Sequence, residues 1–385
     1  MIKRFSNIGI LTFPLKDAGV IPLKNMVDIM KELSNIVTLI TGNSGYDYFI
    51  NNEYKSLKLY GISHKIIIMN ESFNRIINYF FTQLKISYKF IIANRNVDLW
   101  IFFIGADILV VPMLIAKIFR KKVLLVLAGS SLDVAIKSDK YFSNIISLLL
   151  RFNYGKTDYI IVYSRRLIDE WSLDYYKHKI FVCHHHYLDF RNFTILNIYE
   201  SRDNIIGYIG RISREKGIEN FVKAIPNILA KKNNVRFLIC GDGELRDEIE
   251  AYLRKYNLEN KVTLTGWIPH EQLPLILNKL LLLVLPSYTE GLPNIILEAM
   301  ACGTPVLATP VGAIKDIIIN NQTGFIAEEN APELLAQEIL RSLRNKNIKR
   351  IIEEAKEKVE NEFIFSNVIN EWKNILDNVY YKNVI

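Results

Sequence analysis

PSYTEGLPNIILEAMACGTPVLATPVG, residues Pro286 to Gly312, is preceded by the apolar run Leu281–Leu285 and reads as strand, turn, helix, strand. Ser287 to Gly291 is rich in turn formers, and Pro293 suits a first helical position, where its missing N–H would have found no partner in any case. Gly303 closes the helix, which the spacing predicts to last about three turns. Repeated along a chain, this unit is the building block of a parallel sheet covered by helices. The helix start also has chemistry. The N–H groups of Gly291, Leu292 and Asn294, on either side of Pro293, face outward and favour an anion. Glu290 stands ahead of the helix and Glu298 inside it, two acceptors for hydroxyl donors. An anion that carries hydroxyls suits both features.

Outward from this stretch the pattern continues in two series. Strands are predicted at Ile8–Leu11, Ile36–Ile40, Ile66–Met69, Leu99–Ile104, Val123–Leu127, Tyr159–Tyr163 and Ile180–Cys183. A second set is predicted at Ile205–Ile209, Val235–Cys240, Val262–Thr265, Leu281–Leu285, Val306–Ala308 and Phe325–Ile326. Helix-length amphipathic segments separate them, so the expected class is α/β with two doubly wound parallel sheets. At 385 residues the chain exceeds the size of a single core. The polar stretch Tyr187–Asn204 is the linker, and the domains are set at 1–195, 196–365 and a terminal helix in 366–385.

Composition excludes several classes. Cys183, Cys240 and Cys302 are too few and too scattered for a disulfide framework, which points to a reducing compartment. The first residues, MIKRFSNIGILTF, lack the apolar core and cleavage site of a signal peptide. Leu99–Phe119 has the length of a membrane span, but Asp107 and Lys117 would be costly in lipid. It reads instead as a buried strand, a turn capped by Asp107 and a helix over Ile108–Phe119. Charge is unevenly placed: residues 1–199 hold 25 Lys and Arg against 15 Asp and Glu, a net of +10. With 48 and 40 in the whole chain, residues 200–385 hold 23 and 25, a net of −2. The basic half expects an anionic surface as partner.

Four motifs remain. In GYIGRISREKG, Gly207 to Gly217, a strand ends at Ile209, Gly210 lets the backbone approach a ligand, and Arg211 and Lys216 follow, a planar fork and a point charge suited to a diphosphate. CGDGELRDEI fails as a dinucleotide fingerprint because Arg246 occupies the third glycine position. Gly155-Lys156-Thr157 fails as a P-loop because Leu150 stands where its first glycine is required. His184-His185-His186 cannot all face one ion and has no carboxylate or thiol cluster beside it, so no metal site is expected. There is no D-x-D, the usual cation-dependent grip on a nucleotide sugar.

Together, Pro286–Gly312, GYIGRISREKG, GDGEL and TGWIPHEQLP resemble the nucleotide-sugar domain of the retaining glycosyltransferases of family four, the group-one glycosyl transferases of the GT-B fold. The likeness is specific from Ile205 to about Ala327. It implies two Rossmann-like domains facing a cleft, with Glu290 towards the donor sugar, Glu298 towards the ribose, and Arg211 and Lys216 on the diphosphate. It further implies that Gly291 to Asn294 meet sugar and phosphate, that Trp267, Ile268 and Pro269 border the base, and that the final helix crosses back to the first domain. The partners would be a nucleotide-sugar donor and a glycan or lipid-linked acceptor, with no metal, no cofactor and no nucleic acid; an epimerase, a hydrolase or a non-catalytic binding module of the same fold would carry the same phosphate grip. The first half departs from the pattern, with Ala18-Gly19 for a double glycine, so that Gly19 alone would approach the phosphate, and Ala128-Gly129-Ser130-Ser131 where many members have a histidine.

Ser72–Arg95 completes the reading. At helical spacing Arg75, Asn78, Thr82, Lys85 and Lys89 form a polar stripe, and Phe73, Ile76, Ile77, Phe80, Leu84, Tyr88 and Ile91 form an apolar band. The expectation is a cytoplasmic chain, and the helix has two readings: a Rossmann helix with a solvated basic face, or an interfacial helix whose basic stripe and flanking Tyr79, Phe81 and Phe90 lie against anionic headgroups at the inner face of the cell membrane.

Overall fold

Runs that are apolar at nearly every position become strands covered on both faces, and the chain builds two sheets from them. The computed structural model describes residues 5–64, 72–132 and 140–381. It divides into two units, Met1–Tyr187 with Phe365–Ile385, and Leu188–Ile364; the sequence reading set these limits at 195/196 and 365/366.

In the first unit, numbering helices of eight residues or more, β1 (Phe5–Leu11), α1 (Val20–Leu33), β2 (Ser34–Gly42), α2 (Ser44–Asn51), β3 (Leu57–Ile62), α3 (Ser72–Ala93) and β4 (Leu99–Phe102) come first. Then follow α4 (Val110–Ile118), β5 (Lys122–Val126), α5 (Lys140–Lys156), β6 (Tyr159–Val162) and β7 (Ile180–Val182). The parallel sheet runs β3-β2-β1-β4-β5-β6-β7. Because crossovers are right-handed, the reversal between β1 and β4 sends α1 and α2 to one face and α3, α4 and α5 to the other. The packing agrees: α3 lies against α4 and α4 against α5, while α1 lies against α2.

The second unit contains β8 (Ile205–Ile209), α6 (Ile218–Lys231), β9 (Arg236–Cys240), α7 (Arg246–Lys255), β10 (Val262–Gly266) and β11 (Leu280–Leu285). It continues with α8 (Asn294–Ala301), β12 (Val306–Ala308), β13 (Phe325–Ile326), α9 (Pro332–Leu343) and α10 (Ile348–Glu362). Its parallel sheet runs β10-β9-β8-β11-β12-β13, over a core that includes Tyr208, Phe221, Ile225, Phe237 and Val284. The last helix, α11 (Phe365–Tyr381), belongs to the first unit, where it packs on α1.

Four sequence expectations change. The third strand is Leu57–Ile62, at a sheet edge; the predicted Ile66–Met69 lies outside the described residues. Helix α8 has eight residues, about two turns, and Pro293 is its N-cap with extended backbone, not its first helical residue. Asp107 caps no helix: α4 starts at Val110, and the buried Asp107 carboxylate accepts from Ser131 Oγ at 2.6 Å. Burial pushes that carboxyl's pKa up.

The fourth change is the face of α3. Thr82, Gln83 and Ser87 are buried, whereas Phe80, Leu84, Tyr88 and Ile91 are exposed. Two of the inward polar groups are partnered: Thr82 Oγ1 lies 2.7 Å from His64 Nδ1, and Gln83 Oε1 accepts the Val111 N–H, one of the N–H groups that a helix start leaves open. Ile86 and Phe90 supply the apolar contact, the latter ring 4.4 Å from Trp100. The side chains of Phe73, Arg75 and Ile76 lie outside the described ones.

Of the three histidines after β7, His185 and His186 are core residues and His184 is half-buried. His185 Nδ1 lies 3.0 Å from the Tyr163 hydroxyl, and its ring packs on Phe103 and His186. Burial lowers the pKa of His184 to about 4 and of His185 to about 3. Both are therefore neutral in the fold while an unfolded chain protonates them below its ordinary value of 6.5. At higher pH they have no effect; as pH falls through 6.5 towards those folded values, stability is lost. By pH about 5 each costs about 2 kcal/mol. Urea unfolding at pH about 7 and about 5 checks this, and His185→Gln should lose about 2 kcal/mol less over that interval than the parent chain. An equal loss in both would contradict it.

The cysteines are free and buried. Burial pushes the Cys240 thiol up to about 11 and the Cys302 thiol up to about 12, so neither offers a thiolate at neutral pH.

Candidate active site

In an open parallel sheet the loops diverge where strand order reverses, which leaves a crevice at the carboxyl ends of two strands. In the second unit these are β8 and β11. Arg211 and Lys216 follow β8; Ser287 and Glu290 follow β11. The two loops are tied together. Tyr288 N–H donates to Glu215 O at 2.9 Å, and from the segment after β13 Asn330 Nδ2 also donates to Pro286 O. Gly217, at φ +65°, lies so close to Pro286 that a Cβ would stand 1.9 Å from its carbonyl oxygen. Only glycine accepts both that conformation and that approach.

Across this crevice Lys216 Nζ donates to Glu290 Oε1 at 2.7 Å, and Ser287 Oγ donates to the same oxygen at 2.7 Å. Glu290 is buried and Lys216 a quarter exposed. A buried carboxylate without such partners would be costly; here one oxygen accepts from both. Arg211 differs. Its guanidinium is 53% exposed and pairs with Glu215 at 3.2 Å, an oxygen that Ser213 Oγ also reaches at 2.7 Å. Pro293 contributes no side-chain cap to α8, so the start of that helix keeps its electropositive end beside Glu290.

Glu298 is buried in the middle of α8, where its Oε1 lies 2.7 Å from His270 Nε2. His270 follows Trp267, Ile268 and Pro269, of which Trp267 is exposed, and its ring packs on Phe193 at 5.3 Å. Sequence reading passed over His270. Its signal was present in the quoted TGWIPHEQLP, but nothing in spacing alone joins residue 270 to residue 298. Gly210 follows β8, and its N–H is spent on Cys240 O. The glycine that this corner demands is Gly241, at φ +139° with a Cβ position 1.9 Å from Gly210 O. This explains CGDG by packing, without a dinucleotide.

Gly19 lies in the first unit, in the turn before α1, where its N–H donates to Lys16 O at 2.9 Å. That donor is engaged within the turn and is not presented to an anion. Among the described residues no group of three or more His, Cys, Asp or Glu is arranged to hold a metal ion.

Residues 193–359 match the family described as glycosyl transferases group 1. An uncharacterized glycosyltransferase of Methanocaldococcus jannaschii is 27% identical over 342 residues, 86% of each chain. Two further glycosyltransferase relatives are matched over 44% and 36% of their length. Among solved structures, sucrose-phosphate synthase from Thermosynechococcus elongatus superposes with a TM-score of 0.77 at 17% identity, covering 98% of this chain and 100% of that one. Anabaena HepE in complex with UDP and glucose superposes with a TM-score of 0.76 at 17% identity, covering 96% and 99%. The two parallel sheets are those of the GT-B fold.

Proposed function

We propose that this chain, which belongs to the group 1 glycosyl transferases, moves a sugar from a nucleoside diphosphate donor to a glycan or lipid-linked acceptor with retention of configuration. The observation that supports this most directly is the Lys216–Glu290 pair beside the start of α8. As the bond from the sugar to the distal phosphate breaks, negative charge grows on that phosphate. Lys216, Arg211 and the α8 start are preorganised to receive it, so their charge is worth more in the transition state than in the ground state. The acceptor hydroxyl passes its proton to a phosphate oxygen as its own oxygen bonds to the sugar carbon on the face the phosphate leaves. Glu290, fixed through one oxygen, offers the other to a donor-sugar hydroxyl, and Gly291 and Leu292 lie against sugar and phosphate. Glu298 would take the ribose, and Trp267, Ile268 and Pro269 would border the base.

This reading assigns charge compensation to the chain's own cations and to the helix start, with no metal and no cofactor. The test is turnover of a panel of nucleotide sugars in the presence of a chelator, with the anomeric configuration of the product read by NMR. Undiminished turnover with the donor's configuration kept is the expected result. Loss in chelator that a divalent cation restores, or an inverted product, would overturn the corresponding part. Steady release of free sugar at the same rate with and without any acceptor would instead identify a hydrolase.

A further inference from the structure

Helix α3 turns its apolar band to solvent, and its neighbours on that face of the sheet do the same. Phe80, Phe81, Leu84, Tyr88 and Ile91 are exposed along α3, Phe81 by 57%. On α4 Ile118 is 75% exposed, and on α5 Leu148 is 69% exposed. One such side chain is unremarkable on a protein surface; a run of them across three adjacent helices is a binding face. Burial does not require this arrangement, because α3 already satisfies the core with Ile86 and Phe90.

Charge identifies the occupant. None of the three helices carries an Asp or a Glu, while they supply Arg75, Lys85, Lys89, Lys117, Lys140, Arg151 and Lys156. Lys85 and Arg151 are exposed. Lys117 is neutralised by Asp158, which follows α5. A second copy of this chain is a poor partner, since a two-fold contact sets like surfaces together and would bring cation against cation with no carboxylate between. An apolar protein surface would not account for the missing acids. A bilayer with anionic headgroups accounts for both observations, taking the aromatic and aliphatic side chains at the acyl boundary and the lysines and arginines at the phosphates.

We propose that the face formed by α3, α4 and α5 of the first unit docks on an anionic lipid bilayer, led by Phe80, Phe81, Ile118 and Leu148. This differs from the docking expected from sequence, in which the basic stripe of α3, helped by flanking aromatics, made the contact. It also stands apart from the proposed chemistry, because no residue of the second unit takes part.

The experiment is co-sedimentation of the full chain with vesicles of phosphatidylcholine alone and of phosphatidylcholine with phosphatidylglycerol, followed through rising salt. Binding to the anionic vesicles at least tenfold tighter than to the neutral ones is expected, falling as screening shortens the reach of the charges from about 10 Å at 0.1 M. Phe80→Ser with Phe81→Ser and Leu148→Ser should weaken it at least tenfold, as should Lys85→Gln with Lys89→Gln and Arg151→Gln. These positions are exposed or half-buried, so circular dichroism and donor turnover in solution should be unchanged. Equal binding to both vesicle types, or binding that ignores the apolar variant, would overturn the proposal. So would a dimer in sedimentation velocity that the apolar variant abolishes. Loss of turnover in a Lys216 variant with vesicle binding intact would bear on the catalytic reading alone.

Discussion

Lys216→Ala is expected to lower turnover by roughly a hundredfold or more, the usual loss when a preorganised donor to developing anionic charge is removed. The loss should fall mainly on kcat. Lys216 also neutralises Glu290, a buried acid whose Oε1 it reaches at 2.7 Å, so some stability should go with it, and Lys216→Arg separates the two effects by keeping the charge. Sequence alone expects the same of Arg211. The structure lowers that figure to about tenfold, because a guanidinium 53% exposed and already paired with Glu215 is screened by solvent. Near-parental turnover in Lys216→Ala, with any accepted donor, would show that the diphosphate lies elsewhere.

The second large effect is on binding. Glu298→Gln keeps the shape of the side chain and a partner for His270, yet removes the charge from any hydroxyl held by the second oxygen. A charged hydrogen bond is worth about 1.5 to 3 kcal/mol, which is about tenfold to a hundredfold in the affinity for the free nucleoside diphosphate. Glu290→Gln should leave that affinity nearly unchanged and depress the rate with donor bound. Calorimetry on the two variants reads the difference directly. Unchanged affinity in Glu298→Gln would remove Glu298 from the ribose.

Much of this was legible before any coordinates. Twelve of the strand positions follow from apolar runs, since β-strands covered on both faces leave no other mark. The strand that escaped, LKLYGI at Leu57–Ile62, sits at the sheet edge, where Lys58 and Gly61 are tolerated and the run never becomes apolar. Periodicity also showed that α3 is amphipathic, but it does not say which face the protein keeps. That was decided by Thr82 and Gln83, which find partners in His64 and Val111, residues 18 and 28 positions away. The site divides in the same way. Glu290, Lys216 and the helix start are local motifs and could be read; the Glu298–His270 contact joins helix α8 to a segment 28 residues earlier, and the engaged N–H of Gly19 is a matter of turn geometry.

The placement of α11 bears on how the chain is made. Val368, Trp372, Ile375, Leu376 and Val379 are buried in the first unit, and Trp372 Nε1 donates to His184 O at 2.8 Å. A ribosome delivers residues 5–187 first and this helix only after the whole of residues 188–364. Domains usually fold in the order in which they emerge. In this protein the second unit, continuous in sequence, can close first, while the first waits with an open flank for a segment still to be translated. A nascent chain stalled near residue 364 should therefore hold a protease-resistant second unit and a first unit that is cut readily.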